Sequence, residues 1–471
     1  MSKQGKHSLI YLVGRGIPGI INFAALSVYT RLLSPEDYGQ YAIVISTVAL
    51  CNTLLFQWIR MGLLRYLPKF DTELKRAPLY ANIAVGYATA IFVSLLMTGL
   101  LYIINPGEMV VKLAVFGMVL LWTEAFFEIA LELLRSNLQV IRYSLSFTLK
   151  SSFALGMGIL MVYNGFGVRG LLISLAASTI LTTILSMKSI LLAISISFRH
   201  FKLSFFREFL IYGIPFTVTF GMTFIFNSSD RYFINYFLGD RETGLYAVAY
   251  DLARQSLWVV MSAINLGSFP LAIRALESSG VVAANIQLIK NLQLLLKISL
   301  PISLGFIALS SEVVDLFIGE KFVAEAKQIV PYIIGGTVMV GAKNFYFDQS
   351  FQLGKRTYLQ IYPVIAAAVV NVGLNMFIIS WLGVIGAVIS TLISFSIALT
   401  MSIVISRRVY PLPFPFIYFL KVLLASSIMG LGLFYGKEIM EGYVLRLVVL
   451  VPLGALVYLL LLRVFKIDFF K

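Results

Sequence analysis

The sequence predicts an all-α polytopic membrane protein of about fourteen transmembrane helices, arranged as two six-helix bundles plus two extra C-terminal helices. Three observations carry this expectation. The composition is too apolar for water, basic and acid-rich loops alternate along the chain, and a six-span pattern occurs twice in the same order.

Of 471 residues, 59% are hydrophobic and only 13% charged, and the mean hydropathy is +0.90. A soluble domain of this size carries about twice that share of charge. The formal net charge of +15 would suit nucleic acid only on a water-exposed basic face, and the sequence offers no such domain. The single cysteine, Cys51, excludes an internal disulfide framework and a cysteine-based metal cluster. Only two histidines are present, His7 and His200, both near polar ends, so no metal centre and no cofactor are expected. The N-terminal MSKQGKHS runs straight into a long apolar stretch, which reads as an uncleaved first span.

A spanning helix needs roughly 20 mostly apolar residues. Such segments fall in the first half at 9–31, 38–64, 79–104, 109–134, 143–164 and 168–190. They continue at 206–229, 244–272, 289–311, 328–352, 357–380 and 384–406, and then at 415–436 and 444–463. The connections are short, which argues against a receptor or an enzyme with a large extramembrane loop. Lys and Arg resist translocation, so alternate loops report orientation. One set of loops and ends holds 21 of them, from Lys3 and Lys6 through Arg65 and Lys69 to Arg463, Lys466 and Lys471. The other set holds 8, among them Arg31, Arg231, Lys437 and Arg446, and most of the loop acids. Both termini are therefore expected in the cytoplasm, with the chain in the cytoplasmic (inner) membrane.

Gly16-Ile17-Pro18 in the first span matches Gly213-Ile214-Pro215 in the seventh, and Tyr38-Gly39-Gln40-Tyr41-Ala42 matches Thr243-Gly244-Leu245-Tyr246-Ala247. Gly167-Val168-Arg169-Gly170 faces Gly383-Val384-Ile385-Gly386 before the sixth and twelfth spans. Slowly growing offsets of this kind are what small loop insertions leave behind. Repeats of six spans share one orientation, so the halves are related by a pseudo-two-fold axis along the membrane normal. The expected domains are a lobe over 1–195, a lobe over 196–410 and the appended helices over 411–471. Two like bundles meeting at a wet cleft are a recurrent transporter design, with Gly- and Pro-interrupted helices at matching positions marking the binding region. Gly16, Pro18, Gly213 and Pro215 are the hinge or gating candidates, although small residues and prolines also serve membrane helices as packing positions.

The run Arg31-Leu32-Leu33-Ser34-Pro35-Glu36-Asp37-Tyr38-Gly39-Gln40-Tyr41 resembles the polysaccharide transporter family, as do Gly62-Leu63-Leu64-Arg65, Tyr212-Gly213-Ile214-Pro215, Asp230-Arg231 and Gly244-Leu245-Tyr246-Ala247. These are O-antigen and lipid-linked oligosaccharide flippases of the multidrug/oligosaccharidyl-lipid/polysaccharide exporter superfamily. The resemblance spans nearly the whole chain. It implies a V-shaped, MATE-like fold and the transfer of an undecaprenyl-diphosphate-linked glycan to the outer leaflet for surface polysaccharide (lipopolysaccharide) synthesis. It also implies polymerase or assembly proteins as partners, a shared gating contact at Asp230 and Arg231, and no enzymatic activity. Membrane lipids surround such a chain.

Ionisable groups at bilayer depth are costly and face a cavity or a partner. At 1.5 Å per residue, Arg15, Glu124 and Lys150 lie roughly 10–15 Å from the cytoplasmic ends, with Arg60 and Glu128 shallower. Arg15, Arg60 and Lys150, together with Arg254 and Lys343 of the second half, are candidate ligands for a diphosphate. The competing reading is a set of structural pairs such as Arg15 with Glu124. Glu124, Glu128 and Glu132 recur every four residues, and like charges so close suit proton or Na+ coupling. Glu132 alternatively pairs with Arg135. Asp251 and Arg254 have the spacing of a local pair. Lys343 and Asp348, five apart, lie on less similar faces, which leaves Lys343 the better cavity candidate and both acids coupling or charge-network candidates. Asp230 and Arg231 are placed at the membrane interface. The rival functions are a multidrug or cation antiporter of the same fold and a membrane-embedded glycan polymerase or glycosyltransferase. The second would need paired acids or a metal site on an extramembrane loop, and none is found.

Overall fold

The computed structural model describes the backbone of residues 3–69, 73–104, 108–137, 139–193 and 200–467, and side chains over the same stretches except 3–15, 69, 73–75, 101, 108–113 and 186–193. Among the described residues there is no strand. The long helices are α1 (Lys3–Leu32), α2 (Pro35–Tyr66), α3 (Glu73–Ile104), α4 (Glu108–Ser136), α5 (Val140–Tyr163), α6 (Gly167–Ala193), α7 (Leu203–Leu238) and α8 (Asp240–Ala308). They are followed by α9 (Ser310–Phe317), α10 (Glu320–Ala342), α11 (Gln349–Leu353), α12 (Ile361–Val409), α13 (Phe416–Gly436) and α14 (Tyr443–Val464).

Ten helices among the described residues are long and apolar enough to cross a membrane. Two of them are hairpins. With 69 residues, α8 would measure about 100 Å if straight, some three times the hydrocarbon thickness, so it has to fold back. It does so at Gly280 (φ 80°, ψ −174°), a backbone geometry that a side chain would strain. Asn291 Nδ2 then donates to Ser268 O at 2.9 Å, across the two arms. In the same way α12 turns at Gly383 (φ 59°, ψ −142°). A Cβ on Gly386 would stand 2.6 Å from Ile378 O, so the returning arm packs directly on the outgoing one. Counting the arms separately gives twelve such segments among the described residues, and α1 and α10 are of similar length.

The chain divides into two compact units, residues 1–25 with 36–228, and residues 26–35 with 229–471. Phe56, Ile59, Leu63, Leu120, Leu121 and Phe209 lead the core of the first unit, where α2, α4 and α7 meet. In the second, α13 and α14 pack on the returning arm of α8 through Leu300, Val422, Met429, Leu433, Leu450 and Tyr458. The turn at 26–35 is tied to the second unit. Arg31 donates to Leu316 O at 2.7 Å, and the Gly319 amide donates to Thr30 Oγ1 at 3.0 Å.

Large apolar side chains stand exposed along whole helix faces, for instance Phe92, Leu96 and Leu100 on α3 and Val448, Leu456 and Leu460 on α14. Patches of that extent would aggregate a soluble protein. For a membrane protein they are the face turned to lipid.

Candidate functional site

In the first unit Glu124, Glu128 and Glu132 of α4 are each met by a cation, two of them from neighbouring helices. Lys150 on α5 donates to Glu124 Oε2 at 2.5 Å, with both side chains 17% exposed. Thr179 on α6 donates to Glu124 Oε1 at 3.3 Å, and the Lys150 ammonium lies 4.9 Å from the Phe127 ring centre. Arg60 on α2 forms an ion pair with Glu128 and donates to Gln57, while Asn52 donates to Glu128 at 3.0 Å. Glu132 pairs with Arg135 at 3.5 Å, as the alternative reading expected. The ladder of like charges is therefore not left to repel itself, because each rung carries its own cation. The cation on Glu124 is Lys150, where the sequence suggested Arg15. The side chain of Arg15 lies outside the described residues.

The hinge candidates differ from one another. Both Pro18 and Pro215 sit inside helices that continue past them. Gly16 has open space where a Cβ would go, whereas a Cβ on Gly213 would lie 2.6 Å from the Trp58 backbone oxygen. Gly213 thus lets α7 approach α2 closely, the packing role of small residues in membranes.

The second unit holds some of its charges deeper. Asp230, expected at the interface, is 2% exposed. Thr391 Oγ1 donates to its Oδ2 at 2.6 Å and Tyr246 OH to the same oxygen at 2.8 Å. Asn375 Nδ2 donates to Oδ1 at 2.6 Å. Asn371 Oδ1 in turn accepts from Asn375 Nδ2 at 3.0 Å and from Ser229 Oγ at 2.7 Å. Among the described residues Asp230 makes no ion pair, and Asn375 Oδ1 is buried without a hydrogen-bond partner. A buried carboxylate flanked by amide and hydroxyl oxygens, one of them unsatisfied, suits a proton or a hard monovalent cation. Among the described residues no group of three His, Cys, Asp or Glu could hold a metal ion.

The sequence reading missed this cage. Its members come from α7, α8 and both arms of α12, and only the turn at Gly383 brings Thr391 beside Asn371 and Asn375. The available signal was that pair of asparagines, four apart in an otherwise apolar run.

The expected pair of Asp251 with Arg254 does not form. Asp251 instead pairs with Arg231 of α7 at 2.6 Å. Arg254 lies 5.7 Å from the Tyr250 ring centre and 5.4 Å from that of Trp258, with no carboxylate within ion-pair distance among the described residues. Lys343 also departs from expectation. Residues 343–347 form a π turn, and the Asp348 amide donates to Lys343 O at 2.8 Å, five residues back. A spacing that separates side chains on an α-helix thus brings them together. Lys343 Nζ lies 2.6 Å from Asp348 Oδ2, both 2% exposed, and Ser402 and Gln360 also donate to Asp348. Elsewhere in the unit, the returning arm of α8 with α13 and α14 lines a largely apolar cavity of about 450 Å³ that includes Pro301, Gly305, Met429, Leu433, Val451 and Gly454.

Residues 28–327 match the sequence model of the family described as polysaccharide biosynthesis protein. No curated protein matches the chain. Among solved structures, the chain is similar to a lipid II flippase MurJ in an inward closed conformation, with a TM-score of 0.76, 17% identity, and coverage of 97% of this chain and 98% of that one. It is also similar to an inward-facing multidrug resistance MATE family transporter of the MOP superfamily, with a TM-score of 0.67, 16% identity, and coverage of 85% and 97%. A MOP superfamily transporter from Pyrococcus furiosus gives a TM-score of 0.58 at 15% identity, covering 85% and 94%. At such identities these likenesses concern the fold.

Proposed function

The chain belongs to the polysaccharide biosynthesis protein family, and on that premise we propose that it is a flippase moving an undecaprenyl-diphosphate-linked oligosaccharide from the cytoplasmic to the outer leaflet by alternating access. The observation that carries this reading is a set of cations held inside spanning helices in a half-open state. Lys150 and Arg60 are 17% and 13% exposed, and each is paired with a carboxylate of α4. Arg254 rests on aromatic rings with no acid of its own among the described residues. Such groups can exchange a carboxylate or a ring face for diphosphate oxygens, which form charge-assisted bonds of the stronger kind. Arg15 joins the set from its depth in the sequence. Lys343, sealed against Asp348, stands outside it. The apolar cavity beside α13 and α14 offers room for part of a prenyl chain. The likeness to MurJ, a lipid II flippase, supports the class of cargo.

Transport is coupled to a proton or Na+ at the Asp230 cage, where a bound cation would supply the missing positive charge. Both termini face the cytoplasm, and polymerase or assembly proteins of the same synthesis receive the product. The test is a vesicle assay with a labelled prenyl-diphosphate saccharide beside a cationic drug. The flippase reading expects the glycolipid alone to cross, and movement of the drug alone would replace it with an antiporter. Asp230→Asn is expected to leave cargo binding intact while flipping loses its response to an imposed H+ or Na+ gradient. A full response in that variant would place the coupling elsewhere.

A further inference from the structure

A second polar site lies in the second unit, apart from the cage and from the half-open cations. The two arms of α8, the start of α13 and the chain after α14 line an open cavity of about 860 Å³. Four of its lining residues are lysines, Lys290, Lys297, Lys421 and Lys466, and among the described residues none of the lining is Asp or Glu. The wall is fixed by polar contacts: Lys421 Nζ donates to Phe465 O at 3.1 Å, and Gln287 donates to Asn291, which ties the two arms of α8. Lysines gathered along one cavity wall repel one another and favour an anion between them. Phosphate oxygens answer several ammonium groups at once.

The rim indicates what carries the phosphate. Ile417 is 72% exposed, Leu271 48% and Leu294 38%, and all three line the same cavity. A free anion has no use for an apolar lip, but a lipid does, since its chains continue from the headgroup into hydrocarbon. Lys290 and Lys466 belong to the lysine- and arginine-rich set of chain segments, which puts the cavity at the inner leaflet, where anionic headgroups attract basic residues.

We propose that this four-lysine cavity binds the phosphate-bearing headgroup of an inner-leaflet lipid, namely an anionic membrane phospholipid. A prenyl phosphate offers the same chemistry, and the test separates the two sources. The delipidated full-length protein is titrated with phosphatidylglycerol, diacylglycerol, undecaprenyl phosphate and inorganic phosphate, and retained lipid is read by native mass spectrometry. Phosphatidylglycerol is expected to bind at least tenfold more tightly than diacylglycerol. The Lys290→Gln, Lys421→Gln, Lys466→Gln triple variant should lose that preference, and the corresponding arginine variant should keep it. Tighter retention of undecaprenyl phosphate, lost in the same glutamine variant, would support the headgroup site and name the carrier as its source. The proposal is overturned if the glutamine variant retains phosphatidylglycerol as wild type does, if diacylglycerol binds equally well, or if inorganic phosphate displaces the lipid at equal concentration. Single Lys290→Gln and Lys466→Gln variants, each expected to weaken retention several-fold, decide the matter should the triple variant fail to fold.

Discussion

The two units use the same chemistry, acids met by cations inside spanning helices, at different depths of seal. In the first, Lys150 with Glu124 and Arg60 with Glu128 keep between 13% and 38% of their side-chain surface open. In the second, Lys343 and Asp348 are each 2% exposed and Asp230 is equally closed, while Arg231 with Asp251, at 14% and 27%, stays as open as the pairs of the first unit. A sealed pair has traded hydration for a single partner and cannot easily be reopened, because either charge left alone in low dielectric costs several kcal/mol. A half-open pair is cheap to break, since water or a ligand can take over either side. Charges of the first kind hold a fold in one arrangement, and charges of the second kind are available for exchange.

The sharpest way to break this distinction is at Lys343. Lys343→Met leaves Asp348 buried with a hydroxyl and an amide but no cation, and the expected loss is about 3–5 kcal/mol. Thermal unfolding of the purified protein in detergent should show a large drop in midpoint. Adding Asp348→Asn should recover much of it, because the amide carries no charge to strand. A single Lys343→Met variant that melts like wild type would mean that water reaches the pair and that the two units do not differ in kind.

Little of this contrast was legible in the sequence, although the frame that contains it was. Spans and the order of the helices follow from hydropathy and from the alternation of Lys and Arg between loops, which are local properties of a chain in lipid. Partners are not local. Arg254 looked paired with Asp251 because three residues separate them on one helix, yet Asp251 turned to Arg231 on α7. Lys343 looked free of Asp348 because α-helical geometry holds residues five apart on different faces, and a π turn changed that geometry. The Asp230 cage depends on where α12 folds back, and no spacing between residue 230 and residue 391 announces it. The matching glycine-proline segments differ as structure, since Trp58 crowds Gly213 and Gly16 faces open space.

That last difference predicts the middle-sized effect. In the first unit stability should rest on apolar packing more than on its open ion pairs. Gly213→Ala drives a Cβ to within 2.6 Å of Trp58 Cβ and of the Trp58 backbone oxygen, which cannot swing aside as a side-chain end could. Overpacking of that kind costs about 1–3 kcal/mol, and the better helix propensity of alanine, about 1 kcal/mol, only partly offsets it. A measurable fall in the unfolding midpoint is expected, while Gly16→Ala should leave it unchanged or slightly raised. Equal behaviour of the two variants would show that the close approach of α7 to α2 is not a tight packing position.

The smallest effect on stability should come from cutting the open pair itself, and it is the most informative about function. Lys150→Met leaves Glu124 with Thr179 and with access to water, so the expected loss is about 1 kcal/mol or less, smaller than for Gly213→Ala despite the removal of a charge from a spanning helix. If Lys150 is held half-open because it serves a diphosphate, transport of the labelled glycolipid should nevertheless fall at least tenfold in the vesicle assay. Lys150→Arg should retain a substantial part of it, since the guanidinium keeps both the charge and the phosphate-binding geometry. A purely structural ion pair predicts the reverse pattern, in which Lys150→Met and Glu124→Gln are equally mild in transport and the melting temperature tracks whatever activity is lost. The ratio of transport loss to stability loss therefore decides between the two roles. The same ratio measured at Lys343, where stability should collapse with or before transport, supplies the sealed pair as its internal reference.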